Sequence, residues 1–273
     1  MSLMRKKITV PDLEKRRFQG APISMLTCYD AVFAALLDEC GVDALLVGDS
    51  LGMVLQGHNT TIPVTIEQME YHTSCVARVN PKSLILADMP FASYHESPEQ
   101  AFRNAARLIS AGAQMIKLEG GAWLAPTVEF ISQRGVPVCA HLGLTPQSVH
   151  DLGGYRVQGR DTESASKIER DAKTLESAGA RMLVLELVPA DLAGVVTQSI
   201  NIPTIGIGAG SATTGQVLVL HDMLGITPGK RPRFVKNFLA SSGSIAGAVR
   251  QFISEVQERS FPAEEHSVLE LVS

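Results

Sequence analysis

The chain has 273 residues, 45% of them hydrophobic and 19% charged, with a formal net charge of −4. Its longest basic cluster is Arg5–Lys7, so we expect no nucleic-acid partner, because phosphate binding requires a concentrated positive face. No apolar run approaches the ~18 residues of a membrane span, and no secretion signal is recognisable, so we expect no membrane partner. The four cysteines form neither a CxxC pair nor a disulfide framework, which predicts a cytoplasmic protein.

Eight short and nearly continuous apolar runs predict parallel strands that are covered on both faces. These runs are Ile23–Leu26, Ala44–Val47, Leu84–Ala87, Met115–Leu118, Val136–Ala140, Met182–Leu187, Thr204–Ile207 and Val217–Leu220. Helical patterns alternate with them, and a further helix precedes the first strand. The alternation predicts an α/β fold, a (β/α)8 TIM barrel. We expect a single domain over residues 1–273, with terminal extensions at 1–7 and 262–273.

Helix boundaries are marked by capping signals. Thr9–Asp12 opens the first helix, which should end near Gly20, and Thr65–Gln68 and Ser97–Gln100 are typical of capping boxes. Glycines that follow three other helices fit helix C-termini. The interval between Ile207 and Val217 is too short for a full crossover helix, so either the seventh helix is a single turn or the eighth strand is misplaced.

Four acidic residues end predicted parallel strands: Asp49, Asp88, Glu119 and Glu186. In a barrel these strand ends share one rim, where active sites are built. Buried carboxylates repel one another, and a divalent cation would offset that repulsion; an all-oxygen set suits Mg²⁺. The alternative for each acid is a surface residue that caps the next helix.

Two further side chains reach the same rim. Lys117 precedes Glu119 by two residues, so both point to one side of the strand. Lys117 could neutralise the acids, hold a substrate carboxylate, or form a Schiff base in a metal-free aldolase. His141 could hydrogen-bond a substrate or be a satisfied wall residue.

Two glycine-containing turns allow an anion-binding interpretation. Ser50, within Gly48–Gly52, could hold an anion with hydroxyl and backbone donors; the alternative is a tight turn that simply needs glycine. The Gly206–Gly210 segment follows the seventh strand, where barrels often bind phosphate. It supports an alternative class, a non-catalytic phosphate- or nucleotide-binding barrel, although close backbone packing explains it equally.

Seven segments occur in the order "LTCYDA", "LLVGDSLGMVLQGH", "LADMPFASY", "IKLEGG", "AHLGLTPQSVHDLGGYRVQGR", "LVLELVP" and "IGIGAG". Together they resemble the ketopantoate hydroxymethyltransferase family over about residues 8–266. The resemblance implies a (β/α)8 barrel, a Mg²⁺ ion and a large homo-oligomer, typically a decamer. It also implies transfer of a hydroxymethyl group from 5,10-methylenetetrahydrofolate to 2-oxoisovalerate, giving ketopantoate in pantothenate biosynthesis.

The family's functional residues fall on the rim positions. By resemblance, the metal ligands are Asp49, Asp88 and Glu119; the oxoacid is bound by Asp49, Ser50, Asp88 and Lys117; and the catalytic base is Glu186. Since Mg²⁺ keeps several waters, Glu119 is expected to hold one of them. Two positions depart from the family pattern. Thr214 stands where an aspartate is usual, and Arg233 stands where a lysine is usual.

Overall fold

Eight parallel strands form a closed barrel in chain order in the computed structural model, which describes residues 5–229 and 231–268. The strands are β1 Ile23–Thr27, β2 Ala44–Val47, β3 Leu84–Asp88, β4 Met115–Glu119, β5 Val138–Gly143, β6 Ala180–Glu186, β7 Thr204–Ile207 and β8 Gly215–Leu218. The helices are α1 Val10–Gln19, α2 Ala31–Cys40, α3 Leu51–Val54, α4 Ile66–Ala77, α5 Pro98–Ser110, α6 Ala125–Ser132, α7 Thr162–Ser177, α8 Ala190–Ser199, α9 Leu220–Met223, α10 Leu239–Ser242 and α11 Ile245–Gln257. The predicted barrel and its leading helix are confirmed.

The connection between β7 and β8 shows which of the two alternatives for the Ile207–Val217 interval is correct. Residues 208–214 are all described, and they form bends and turns without a helix. The eighth strand begins at Gly215, two residues before the predicted start. Gly215 pairs with Ile205 of β7 and Ile23 of β1, so this strand closes the barrel even without a crossover helix.

The helix start predicted at Thr9–Asp12 is confirmed, and so is one of the two predicted capping boxes. Thr9 caps α1 and Thr65 caps α4, each in a reciprocal capping box. At α5, the Ser97 side chain accepts a hydrogen bond from the Gln100 N–H, as predicted. The reciprocal bond is missing because the Gln100 side chain accepts from the Glu96 N–H instead.

Strand register brings the predicted rim residues next to one another. Asp88 at the end of β3 pairs with Lys117 on β4, and Glu119 pairs with His141 on β5. One strand further, Gly143 pairs with Glu186 on β6. The carboxyl ends of four consecutive strands therefore present ionisable side chains to the same opening.

Helix α1 covers the opposite end of the barrel. Its Val10 and Leu13 are buried in the cluster that fills the barrel interior. Arg16 of this helix contacts Asp43 Oδ2 at 2.7 Å, and the same oxygen accepts hydrogen bonds from the Ser24 N–H and hydroxyl. One buried carboxylate thus joins the helix to the starts of β1 and β2.

The chain termini are described only in part. Residues 1–4 and 269–273 of the predicted extensions lie outside the described residues, and the single-domain boundaries stay a prediction. Phe261 is buried against Phe238 and Phe252, and the Val268 carbonyl accepts a hydrogen bond from the Ala190 N–H. The segment that follows α11 therefore lies against the barrel. Over the described ranges, no helix combines the length and the apolarity that a bilayer crossing requires.

Replacing Asp43 by asparagine should lower the free energy of unfolding by about 1.5–3 kcal/mol, because hydrogen bonds to a buried charged group are lost. Urea unfolding measures this change. Asp151→Asn is the matched control: Asp151 is exposed, so the change should stay within about 0.5 kcal/mol. Equal effects of the two substitutions would contradict the anchoring role of Asp43.

Candidate active site

Six ionisable side chains at the carboxyl ends of the strands line one cavity of about 860 Å³, together with further ionisable residues from the surrounding loops and helices. They are Asp49, Asp88, Lys117, Glu119, His141 and Glu186. Ser50 lines the same cavity. The structure therefore brings together every site residue that the sequence predicted.

Lys117 lies at the centre of this group. Its Nζ is 3.2 Å from Asp88 Oδ1 and 3.3 Å from Glu119 Oε1. Burial opposes the charge of the ammonium, but Asp88, Glu119 and then Asp49 raise the pKa of Lys117 well above its usual value. Lys117 is therefore a charged group that partly neutralises the acids.

Asp49 and Asp88 are the two acids whose ionised forms the site destabilises. Burial, followed by the charges of Asp88 and Glu119, raises the pKa of Asp49 well above its usual range. Burial also raises the pKa of Asp88, and Lys117 only partly opposes that shift. An added positive charge would stabilise both carboxylates.

Glu119 is held differently from these two acids. Its Oε1 contacts Lys117 and, at 3.2 Å, His141 Nδ1, while its Oε2 accepts a hydrogen bond from the Gln147 N–H at 3.0 Å. Burial opposes ionisation, but Lys117 and His141 outweigh it and lower the pKa of Glu119 to about 2. Both oxygens of this carboxylate are already occupied.

His141 connects Glu119 to Glu186. Its Nε2 lies 3.3 Å from Glu186 Oε2, opposite the nitrogen that faces Glu119. Burial and Lys117 lower the pKa of His141, yet Glu119 and Glu186 together raise it to about 9. The side chain is thus more than a passive part of the cavity wall.

Among the four strand-end acids, Glu186 is the most exposed. Its side chain is 15% exposed, against 4% for Asp88 and 2% for Glu119. The next residue, Leu187, has a left-handed φ of 45°, which is costly for a non-glycine residue and is found mainly where function constrains the backbone. Glu186 is therefore the carboxylate that is best placed to meet a molecule in the cavity.

A close approach explains the glycine before Asp49. A Cβ atom on Gly48 would lie 2.9 Å from Ser50 Oγ and 3.5 Å from Asp88 Oδ2. The Ser50 hydroxyl is also hydrogen-bonded to the Tyr29 hydroxyl, with 2.8 Å between the oxygens. Glycine is therefore needed at position 48, where the end of β2 packs closely against Ser50 and Asp88.

The residues fit a hard cation through two carboxylates. Asp88 Oδ1 is buried and, within the described chain, has no hydrogen-bond partner, although Lys117 lies near it. Asp88 Oδ2 accepts a hydrogen bond from the Asp49 N–H, so the two acids are adjacent. Residues 5–229 and 231–268 contain no group of three or more His, Cys, Asp or Glu side chains arranged to hold a metal ion. The donor chemistry suits a cation that takes the rest of its ligands from water or substrate.

Sequence reasoning missed Gln147, which is buried between the acids. Gln147 donates to Asp49 Oδ2 at 2.8 Å and accepts from the Tyr94 hydroxyl at 2.7 Å. Its signal in the sequence is weak: a polar residue after a proline in the loop that follows β5. In the Gly206–Gly210 segment, by contrast, Ile207 alone lines the cavity, and Gly206, Gly208 and Gly210 pack closely against neighbouring side chains.

The two departures from the family pattern lie in different places. Thr214 is buried at the start of β8, at the end of the barrel opposite the cavity, where its N–H donates to the Thr204 hydroxyl. Arg233 lines the cavity, and its Nε donates to the Glu265 carbonyl at 3.1 Å. Only Arg233 is in a position to contact a molecule bound in the cavity.

Known proteins resemble this chain over nearly its full length. A family model described as ketopantoate hydroxymethyltransferase matches residues 7–264. A 3-methyl-2-oxobutanoate hydroxymethyltransferase of Azoarcus sp. (strain BH72) is 61% identical and covers 96% of this chain and 97% of its own. A relative of the same name from Cupriavidus necator is 57% identical, with 96% of each chain covered.

Solved structures share the fold at low identity. A phosphoenolpyruvate phosphomutase from Streptomyces platensis subsp. rosaceus has a TM-score of 0.60 at 11% identity, covering 80% of this chain and 83% of its own. A 2,3-dimethylmalate lyase of the PEP mutase/isocitrate lyase superfamily has a TM-score of 0.57 at 15% identity, covering 94% and 90%. At these identities the likeness concerns the fold alone.

Replacing Gly143 by alanine should cost about 1–3 kcal/mol of unfolding free energy beyond backbone strain, because the new Cβ would overlap the Glu186 carbonyl oxygen. Gly135→Ala is the matched control. Gly135 has φ 85° against 90° for Gly143, but nothing lies within 4 Å of its added Cβ. Chemical denaturation of both variants measures the difference, and equal losses would show that Gly143 is needed only for its φ.

Proposed function

The chain belongs to the ketopantoate hydroxymethyltransferase family, and we propose that the six ionisable side chains at its barrel mouth perform this chemistry with one Mg²⁺ ion. The resemblance inferred from the sequence segments is thereby confirmed. The protein is a transferase that adds a hydroxymethyl group to 3-methyl-2-oxobutanoate (2-oxoisovalerate) to give ketopantoate, in pantothenate biosynthesis.

Asp49 and Asp88 would hold the Mg²⁺ ion directly, with Glu119 completing the acidic set through water. The single observation that carries this assignment is that Asp49 and Asp88 are adjacent buried carboxylates whose pKa values both stay raised, although Lys117 lies 3.2 Å from Asp88 Oδ1. Glu119 suits the indirect role because both of its oxygens already accept hydrogen bonds. A bound Mg²⁺ supplies Lewis acidity at the keto oxygen, which makes the neighbouring C3–H more acidic.

Substrate binding would use Asp49, Ser50, Asp88 and Lys117. The charged Lys117 is suited to pair with the carboxylate of the oxoacid, and the Ser50 hydroxyl can donate to the same group. The raised pKa of Lys117 argues against a Schiff base, since an attacking amine must be neutral. Lys117 therefore acts in this proposal as a fixed positive charge.

Glu186 would act as the general base. Its carboxylate faces the cavity and lies next to His141, so it can take the C3 proton of the bound oxoacid. The resulting enolate would form the new C–C bond with the methylene carbon of the donor as one of its two C–N bonds breaks, and Glu186 would return its proton to the nitrogen released. Water would then displace the second nitrogen, giving the hydroxymethyl group and free tetrahydrofolate. His141 would keep Glu186 oriented throughout.

The one-carbon donor proposed here is 5,10-methylenetetrahydrofolate. A cavity of about 860 Å³ is far larger than a small oxoacid requires, so a second, bulkier molecule fits beside it. The cavity wall also carries Tyr155, Arg160 and Arg233. An aromatic ring can stack on a pterin, and the two arginines can pair with the carboxylates of a glutamate tail.

A homo-oligomer, typically a decamer in this family, and a cytoplasmic location complete the proposal. Phe18, Val32 and Tyr71, on three different helices, are 72%, 79% and 63% exposed, and burying them between subunits would remove apolar surface from water. The four cysteines are all free, in keeping with a reducing compartment. Analytical ultracentrifugation measures the subunit number.

Asp88→Asn should reduce Mg²⁺-dependent hydrogen–deuterium exchange at C3 of 2-oxoisovalerate by at least about 100-fold, because several kcal/mol of charge stabilisation are lost. NMR follows this exchange without any folate present. EDTA should abolish the exchange in the parent enzyme, and added Mg²⁺ should restore it. Asp222→Asn is the control, since Asp222 lines the same cavity outside the acidic set. Undiminished exchange in Asp88→Asn would refute the assignment.

Glu186→Gln should slow the same exchange by about 10²–10⁴-fold and leave binding of metal and oxoacid near the parent values, because only the proton acceptor is removed. Exchange kinetics and calorimetric titration separate the two effects. Borohydride in the presence of substrate should not label Lys117 in the parent enzyme. Labelled Lys117 with EDTA-insensitive activity would favour the Schiff-base aldolase instead.

A further inference from the structure

We propose that Gln147 is a positioning residue of this site, which fixes the orientation of the Asp49 and Glu119 carboxylates without cancelling their charge. The proposal rests on the proposed function, because it assigns to Gln147 the placement of two carboxylates of the metal site. Gln147 is 3% exposed and lies in the single turn Pro146–Ser148, outside the strands that carry the acids.

Every polar group of Gln147 that faces the site has a defined partner. Its Nε2 donates to Asp49 Oδ2 at 2.8 Å and to the Met89 carbonyl at 2.9 Å. Its Oε1 accepts from the Tyr94 hydroxyl at 2.7 Å, and its N–H donates to Glu119 Oε2 at 3.0 Å. Because a side-chain amide has two N–H donors and both are used, the orientation of the amide is fixed.

Tyr94 contacts the oxygen of the Gln147 side-chain amide. Its ring is fully buried, and its hydroxyl accepts from the Glu119 N–H at 3.2 Å while lying 2.7 Å from Gln147 Oε1. The hydroxyl therefore ties the backbone at the end of β4 to the loop after β5. A movement of Glu119 would therefore shift Tyr94 and Gln147, and with them the hydrogen bond that orients the Asp49 carboxylate.

The neutrality of Gln147 distinguishes it from Lys117. Lys117 reduces the negative charge of Asp88 and Glu119 by pairing with them. Within residues 5–229 and 231–268, Gln147 is the one side chain that donates a hydrogen bond to the Asp49 carboxylate. A neutral donor orients that carboxylate and leaves its full charge for a cation, since the amide carries no net charge.

Outer partners of metal ligands typically contribute 10- to 100-fold to metal affinity. Gln147→Leu keeps a similar size and removes all three side-chain hydrogen bonds. We expect the Kd for Mn²⁺, measured by calorimetry on the purified full chain without substrate, to rise about 10- to 100-fold. The EPR spectrum of the bound Mn²⁺ should also change, because Asp49 is no longer held in one orientation.

Gln216→Leu is the matched control. Gln216 is also buried, at 4% exposure, and its Nε2 also donates two hydrogen bonds, to the Gly210 carbonyl and the Thr213 hydroxyl. It touches none of the acids, so this variant should lose stability and keep the parent Mn²⁺ affinity. A purely structural glutamine at position 147 would behave in the same way.

Tyr94→Phe provides a second test if Gln147→Leu does not fold. It retains the ring and removes the hydroxyl that contacts Gln147 and the Glu119 backbone, and a weaker loss of Mn²⁺ affinity, about 3- to 10-fold, is expected. A folded Gln147→Leu, or failing that Tyr94→Phe, with parent-like Mn²⁺ affinity and spectrum would overturn the role of Gln147 alone. A parent enzyme that binds no Mn²⁺ would overturn the proposed metal site together with this inference.

Discussion

The arrangement of the barrel mouth depends on one electrostatic constraint: three buried carboxylates surround a single lysine. Asp49, Asp88 and Glu119 are each only 3–4% exposed, and an unpaired charge at such a buried position is expensive. Lys117 stabilises the ionised form of Glu119 but leaves the pKa values of the other two acids raised. The site thus retains negative charge that a cation would relieve, and this property underlies the assignment of the metal.

Different side chains supply charge and orientation in this site. Lys117 provides the positive charge, whereas Gln147 provides neutral hydrogen bonds that restrict how Asp49 and Glu119 can turn. His141 extends the contacts to Glu186 on the far side of the rim. Asp49 and Glu186 both line the cavity, so each can meet a ligand there. Metal binding at Asp49 and proton transfer at Glu186 can therefore occur at neighbouring but distinct carboxylates.

The barrel explains why these residues could be recognised from the sequence. In a parallel barrel, the residue that follows each buried apolar run must appear at the carboxyl-end rim, whatever the helices do. Asp49, Asp88 and Glu186 were predicted in this way, and they line one cavity. The predicted start of the eighth strand was two residues too late, because the β7–β8 connection has no helix to mark where the strand begins.

The sequence alone determined the fold and the acidic rim, because strand periodicity and strand ends are local properties of the chain. Only the tertiary structure decided that Gln147 contacts Asp49, 98 residues away, and that His141 lies between two acids. It also decided that Thr214 is remote from the cavity and Arg233 lines it. Loop conformations and contacts between distant residues follow from packing of the whole barrel, and no repeating pattern in the sequence records them.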